Sequence, residues 1–328
     1  MKTILLSHAL YQPGMDILKG KAELIISNNG DAHQILAQLQ QADGYILRIG
    51  RIDRAAIEAC PRLKVITRPG VGVDNVDVAA ATEHGIPVVI CRSGNARAVA
   101  EHTLTLLLAV SKNLYHSVKE TAAGNFSIRN QYAAVDVLDK RIAVLGAGQI
   151  GRCFAGMCYA LGMRVTIYDP FLSKEEVYAL NHDYHYAFSL QQALAESDYV
   201  SLHMPSTAET RGMFGREQFE QMKNGAFLIN CARGDLVDED ALYHALQTGK
   251  LSGAGLDVLA AEPFRKDHPL FKLPNVIITP HMAAQTRETT AKIVCMAAEG
   301  TLAVLNHEQW PHVCNPEVYQ TEAWKNAR

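Results

Sequence analysis

Apolar and polar positions along the first ninety or so residues alternate between two periods. Short runs rich in aliphatic and β-branched residues fall at 4–7, 24–26, 45–47, 65–67 and 88–90. Between them, 31–40 and 53–60 carry helical spacing. Each opens on an aspartate, Asp31 and Asp53, whose carboxylate can accept the free amide hydrogens of a first turn. A long amphipathic segment covers 97–119, and an irregular stretch follows at 125–139. The alternation restarts at 141–146, with further strands expected at 165–168, 199–202, 227–229, 255–258 and 276–279. One long helix is expected over 286–306, with Thr286 as its N-cap. The tail, with Trp310, Pro311 and Pro316, reads as irregular chain on a domain surface. Strand–helix alternation in two blocks argues for two α/β units, each a parallel sheet with helices on both faces.

Composition narrows the class without naming it. The chain has 328 residues, 48% hydrophobic and 20% charged, enough for two ordinary domains with sizeable cores. A formal net charge of −3 gives no footprint for nucleic acid or an anionic membrane surface. Apolar runs are far shorter than a membrane span, the longest being 104–110. The seven cysteines are an odd number with no C-x-x-C pair, which fits a reducing, cytoplasmic setting better than a disulfide framework.

The most specific local signal is Gly146-Ala147-Gly148-Gln149-Ile150-Gly151, a G-x-G-x-x-G turn. It follows an apolar strand and opens a helical stretch, and Asp169 lies eighteen residues beyond Gly151 at the end of the next strand. Gly146 permits the tight turn, Gly148 lets a pyrophosphate approach the backbone, and Gly151 lets the helix pack closely on the strand. Amide hydrogens of the helix start, at Gln149 and Ile150, then face the phosphates. Asp169 can accept from the adenosine ribose hydroxyls and would repel a 2′-phosphate, which favours NAD over NADP. Lys174 is the nearest cation that could reverse this. The alternative is a structural glycine turn with Asp169 merely ending a strand.

Open α/β sheets bind ligands beyond the carboxyl ends of their strands, and three residues stand there. Arg233 follows the strand at 227–229 and offers a planar fork of donors suited to a carboxylate. Glu262 lies just beyond 255–258, and His281 follows 276–279 in Thr279-Pro280-His281. Histidine suits proton exchange near neutral pH. Taken singly, the three read equally as a surface ion pair, a solvated carboxylate and a satisfied loop residue. His182 and His185 have no completing metal ligands, and His102 is assigned no chemistry.

These motifs together resemble the D-isomer-specific 2-hydroxyacid dehydrogenase family, closest to its phosphoglycerate dehydrogenase branch. The resemblance covers nearly the whole chain. It rests on Gly70-Val71-Gly72-Val73-Asp74-Asn75-Val76-Asp77, Asn95-Ala96-Arg97-Ala98-Val99-Ala100-Glu101, the turn at 146–151, and His203-Met204-Pro205-Ser206-Thr207-Ala208-Glu209-Thr210. Asn230-Cys231-Ala232-Arg233-Gly234, Asp257 with Glu262-Pro263, and Thr279-Pro280-His281 complete it. The family implies two Rossmann-like doubly wound parallel-sheet domains. The NAD-binding one, 101–286, is inserted into a flavodoxin-like substrate domain of 1–100 and 287–328. It implies an NAD-dependent oxidoreductase of 2-hydroxy acids, with Arg233, Glu262 and His281 as catalytic set. NAD contacts would come from Gly146, Gly148, Gln149, Ile150, Gly151, Asp169, His203, Pro205, Thr210, Cys231, Ala232, Asp257 and Ala283. Substrate contacts would come from Arg68, Val71, Gly72 and Asn95, with loop 70–72 presenting amides to the carboxylate. That loop alone reads equally as a turn before the helix at Asp77, and Arg68 as a surface salt bridge.

The resemblance further implies a small 2-keto or 2-hydroxy acid partner and a homodimer built around 97–119, with no metal, nucleic acid or membrane. A glyoxylate or hydroxypyruvate reductase would use the same residues. A nucleotide-sensing corepressor would share the fold without the turnover. His281-Met282-Ala283-Ala284 stands where relatives often carry His-Ile-Gly-Ala, a change that keeps a small residue at Ala283. The chain shows no regulatory C-terminal extension of the phosphoglycerate dehydrogenase kind, so serine feedback through one is not expected.

Overall fold

The computed structural model describes residues 1–92, 94–131 and 133–325. It forms two compact units, Met1–Asn95 with Gln285–Arg328, and Ala96–Ala284. The sequence expectation sets the boundaries at 100/101 and 286/287. Residues 326–328 of its last segment, and Tyr132 in its irregular stretch, lie outside the described residues.

Within the described residues, the first unit holds β1 (Thr3–Leu6), β2 (Glu23–Ile26), β3 (Gly44–Ile46), β4 (Val65–Arg68) and β5 (Val88–Ile90) in one parallel sheet of order β2-β1-β3-β4-β5. Parallel strands covered on both faces read as unbroken apolar runs, and β1, β3 and β5 are buried at every position. Successive side chains point to opposite faces. Ile4, Leu6, Ile46, Val65 and Val89 therefore join one core, with Val294, Ala298 and Leu305 of helix Arg287–Leu305. Leu5, Tyr45, Leu47, Ile66 and Val88 join the other. Fully burying one such side chain is worth roughly 1.5–3 kcal/mol. Thr286 caps that final helix by accepting from the Thr289 amide at 3.1 Å.

The second unit holds β6 (Arg141–Leu145), β7 (Arg164–Tyr168), β8 (His185–Tyr186), β9 (Tyr199–Leu202), β10 (Ala226–Asn230), β11 (Leu251–Leu256) and β12 (Val276–Ile278). Their order is β12-β11-β10-β9-β6-β7-β8, all parallel. The chain runs outward from β6 to β8 and then restarts on the other side at β9. The β6/β9 junction is thus the topological switch point, where the crevice for a ligand opens at the carboxyl ends.

Three local expectations are corrected. Asp31 does not cap a helix over 31–40. Its carboxylate accepts from the His33 amide two residues on (3.0 Å), a local turn that competes with helix, and the helix is confined to Leu36–Leu39. Asp53 does cap, accepting from Ala56 N at 3.0 Å. The segment 97–119 is two helices, Ala96–Ser111 and Leu114–Ala122, broken at Asn113, which takes a left-handed φ of 49°. The strand expected at 255–258 is Leu251–Leu256. Its Ser-Gly-Ala-Gly sequence has low strand propensity, but Gly255 is required there, since a Cβ would lie 2.9 Å from Leu106 Cβ of the covering helix.

Candidate active site

The glycine turn follows β6 at the switch point. Gly146 has φ +94°, and a Cβ on it would meet the His203 carbonyl oxygen at 2.7 Å. A Cβ on Gly151 would lie 2.0 Å from the Gly146 carbonyl oxygen, so the helix can sit this close only without a side chain. Above Gly148 there is open space within 4 Å. Gly148 is also the N-cap of helix Gln149–Ala160, and no side chain caps that end. The first-turn amides of Gln149 and Ile150 are therefore left to a ligand.

Asp169, at the end of β7, is pinned beside this turn. One carboxylate oxygen accepts from Ala147 N (2.8 Å) and the other from Phe171 N (3.0 Å). Each keeps a lone pair for a ribose hydroxyl. Lys174 sits 5.4 Å from the centroid of the Tyr178 ring and 6.0 Å from that of Phe188. An open cradle, uncapped amides and a fixed carboxylate fit a dinucleotide.

The loop after β9 forms the neighbouring wall. His203 bonds Ser201 Oγ through Nε2 (2.9 Å) and packs on Phe154 with centroids 5.0 Å apart. Burial pushes its imidazole down to about 3, so it is neutral and takes no part in proton exchange near pH 7. Thr210 donates to the Pro205 carbonyl (2.7 Å) and accepts from Thr207 N (2.8 Å), closing the loop on itself.

Asn230, the buried last residue of β10, shapes the Arg233 turn. Its Oδ1 accepts from Ala232 N (2.9 Å) and its Nδ2 donates to the Arg233 carbonyl (2.8 Å). Arg233 donates through Nη1 to the Ala232 carbonyl at 2.7 Å. Burial pushes the Cys231 thiol up to about 12, which leaves it a packing group.

Glu262 and His281 are brought together from 19 residues apart, with Glu262 Oε2 2.7 Å from His281 Nδ1. A carboxylate only accepts, so Nδ1 carries the hydrogen and Nε2 is left as the exchangeable position. The bond to Glu262 raises the His281 pKa above its ordinary 6.5. Burial opposes this, the charges of Glu262 and Asp257 add to it, and that of Arg233 subtracts. Glu262 and His281 thus meet directly, and the charge of Arg233 is felt at the His281 ring.

His281 adopts a left-handed φ of 50°. The turn that imposes it is tied to Asp257, a fully buried carboxylate. Asp257 accepts from Met282 N (2.9 Å), Ala283 N (2.8 Å) and the Thr279 hydroxyl, and its carbonyl accepts from His281 N (2.8 Å). Burial works to raise the Asp257 carboxyl, but these donors, with His102, hold it below the usual carboxylate range. His102, to which the sequence assigns no chemistry, has Nε2 2.9 Å from Thr279 Oγ1.

In the first unit, Arg68 donates through Nε to the Gly72 carbonyl (3.1 Å) and through Nη1 to those of Leu47 (2.9 Å) and Arg48 (2.7 Å). It thereby holds loop 70–72 to the end of β3. Val71 is 43% exposed, and the position above Gly70 is open within 4 Å. Asn95, half-buried, ends the first segment of this unit.

A doubly wound sheet with a glycine turn and an acid–base pair at its carboxyl edge defines a dinucleotide-binding oxidoreductase fold. The chain belongs to the D-isomer specific 2-hydroxyacid dehydrogenase family, whose NAD binding domain matches residues 104–283. It is 36% identical over 327 residues to the D-3-phosphoglycerate dehydrogenase of Methanocaldococcus jannaschii, covering 99% of this chain and 62% of that protein. With the D-3-phosphoglycerate dehydrogenase of Archaeoglobus fulgidus it shares 36% identity over 298 residues, 90% of this chain and 56% of the other. The chain thus spans little more than half the length of these relatives. It is also similar to the crystal structure of the Aquifex aeolicus D-lactate dehydrogenase complexed with NAD and lactic acid. There the TM-score is 0.83 with 30% identity, over 93% of this chain and 96% of that one.

Proposed function

We propose that this chain is an NAD-dependent dehydrogenase acting at the CH–OH carbon of a small D-2-hydroxy acid, of the phosphoglycerate dehydrogenase type, and reducing the 2-keto acid in the reverse direction. The observation that carries the reading is the 2.7 Å Glu262–His281 pair at the same sheet edge as the glycine turn. NAD, held by the turn at 146–151 and by Asp169, supplies the hydride acceptor, or in reduced form the donor. Loops bearing His203, Pro205, Thr210, Cys231, Ala232, Asp257 and Ala283 form the rest of its seat.

The residues divide the remaining work. In reduction, negative charge grows on the substrate carbonyl oxygen, and the imidazolium of His281 gives it the Nε2 proton. Glu262 fixes the ring orientation and favours the charged form. In oxidation the neutral ring takes the hydroxyl proton. Arg233 orients the substrate through its carboxylate and carbonyl oxygens, a task suited to a guanidinium fork. The first unit is assigned to substrate recognition, through the amides of Val71 and Gly72, the side chain of Asn95, and Arg68 behind the loop.

A cytoplasmic homodimer completes the reading, with no nucleic-acid or membrane partner. All seven cysteines are free, as a reducing compartment keeps them, and among the described residues no helix is long and apolar enough to cross a membrane. Helix Leu114–Ala122 buries none of its residues and leaves Leu114, Tyr115 and Val118 more than half exposed, a face suited to a second copy.

The direct test is NADH consumption with phosphohydroxypyruvate, hydroxypyruvate, glyoxylate, pyruvate and bulkier 2-keto acids. Turnover with at least one is expected. Tight NADH binding with no turnover on any would contradict the assignment and favour a nucleotide sensor.

A further inference from the structure

Glu262 sits in a mostly exposed stretch of chain whose one half-buried apolar anchor is Phe264, packed on the core and 6.3 Å between centroids from the Phe271 ring. Residues 260–263 and 265–267 are exposed, and an exposed loop loses backbone entropy whenever it is ordered. Both ends of this stretch nevertheless converge on one side chain. Glu239 is the first residue of helix Glu239–Gln247, whose N-terminus Asp238 already caps, accepting from Asp240 N and Ala241 N. Free of that task, Glu239 accepts from Ala260 N through Oε1 (2.8 Å) and from the His268 ring through Oε2 (3.1 Å). His268 Nδ1 faces the Leu270 amide at 3.4 Å and acts as an acceptor, so Nε2 carries the hydrogen donated to Glu239. The His268 ring also packs edge-on against Phe271, with centroids 5.9 Å apart. Glu239 and His268 are 22% and 17% exposed, so water competes little for either bond. Next to Ala260, Leu259 lies against Gly234, where a Cβ would come within 1.9 Å of the Leu259 carbonyl carbon. The clamp therefore also presses this loop onto the turn that carries Arg233.

We propose that Glu239, with His268, is a positioning pair that fastens segment 260–268 at both ends and so holds the Glu262 carboxylate on His281. This deepens the dehydrogenase reading and rests on Glu262–His281 being its acid–base pair. Neither Glu239 nor His268 reaches the reacting atoms; their effect travels through Glu262. The charged groups acting on the His281 ring are Glu262, Asp257 and Arg233, and of these only Glu262 lies in the clamped segment.

The test is an NMR titration of the His281 ring, assigned with a His281→Asn variant, in the wild type and in Glu239→Ala, Glu239→Gln and His268→Phe. Glu239→Ala removes both acceptors and His268→Phe removes one donor while keeping the ring packing. In both, the His281 pKa falls toward its ordinary value. Glu239→Gln keeps an acceptor for Ala260 N but turns a donor toward His268 Nε2, so it loses one end of the clamp and titrates between the wild type and Glu239→Ala. In the Glu239→Ala protein kcat falls about 10- to 100-fold, the scale of a sub-ångström to ångström misplacement, with NADH affinity unchanged. An unshifted His281 in both Glu239→Ala and His268→Phe, or a Glu239→Gln protein as displaced as Glu239→Ala, overturns the proposal. Absence of turnover on every 2-keto acid defeats the dehydrogenase reading instead, and the titration still decides the clamp.

Discussion

A carboxylate 2.7 Å from an imidazole nitrogen stabilises the charged ring, and at His281 this outweighs burial. In the proposed mechanism the protonated ring is the reactive form for reduction and the neutral ring for oxidation. The rate of 2-keto acid reduction should therefore be level at low pH and fall as pH rises through a value above 6.5, while oxidation rises through it. The pair's contribution to folding has the same sign: complete below 6.5 and lost as pH rises through the raised value. In Glu262→Gln the falling limb moves down. A kcat/KM profile for reduction whose limb is unmoved in that variant would detach Glu262 from the imidazole. His203 illustrates the opposite environment, where burial without a carboxylate drives the ring to about 3 and removes it from acid–base work.

At the scale of elements, what the sequence revealed follows from how each element is stabilised. Strands such as β6 and β9, buried along almost their whole length, carry apolar residues at nearly every position and so announce themselves. The glycine turn is equally legible, since clashes of 2.7 and 2.0 Å forbid side chains at Gly146 and Gly151. Arg233, Glu262 and His281 could be picked out because they stand just past strand ends, where open α/β sheets bind ligands. Other features depend on partners distant in sequence. The strand Leu251–Leu256 was obscured because its glycines answer to other elements, Gly255 to Leu106 and Gly253 to Asn275 and Phe227. Asp31 and Asp53 look alike as caps, and only the local turn at His33 separates them. His102 and the Glu239–His268 pair carry no motif, and Asn230 opens the Asn-Cys-Ala-Arg-Gly run without its turn-shaping role being readable from it. Each is an ordinary polar residue made consequential by burial and by partners up to 177 residues away.

At the scale of the whole molecule, the alternating pattern was enough for two parallel-sheet units, whereas association depends on surfaces that no periodicity describes. The exposed face of helix Leu114–Ala122 predicts a particle of twice 36.0 kDa by sedimentation, reduced to 36.0 kDa in Val118→Glu, where a buried charge would be unpaired. A wild-type monomer would remove the dimer from the account. Function draws on fold, turn and acid–base pair at once, and the most direct check joins them in one protein. In His281→Ala, NADH should bind as in the wild type while 2-keto acid reduction slows by about 10²–10⁴-fold, the usual worth of a general acid. Undiminished turnover in that variant would contradict the mechanism.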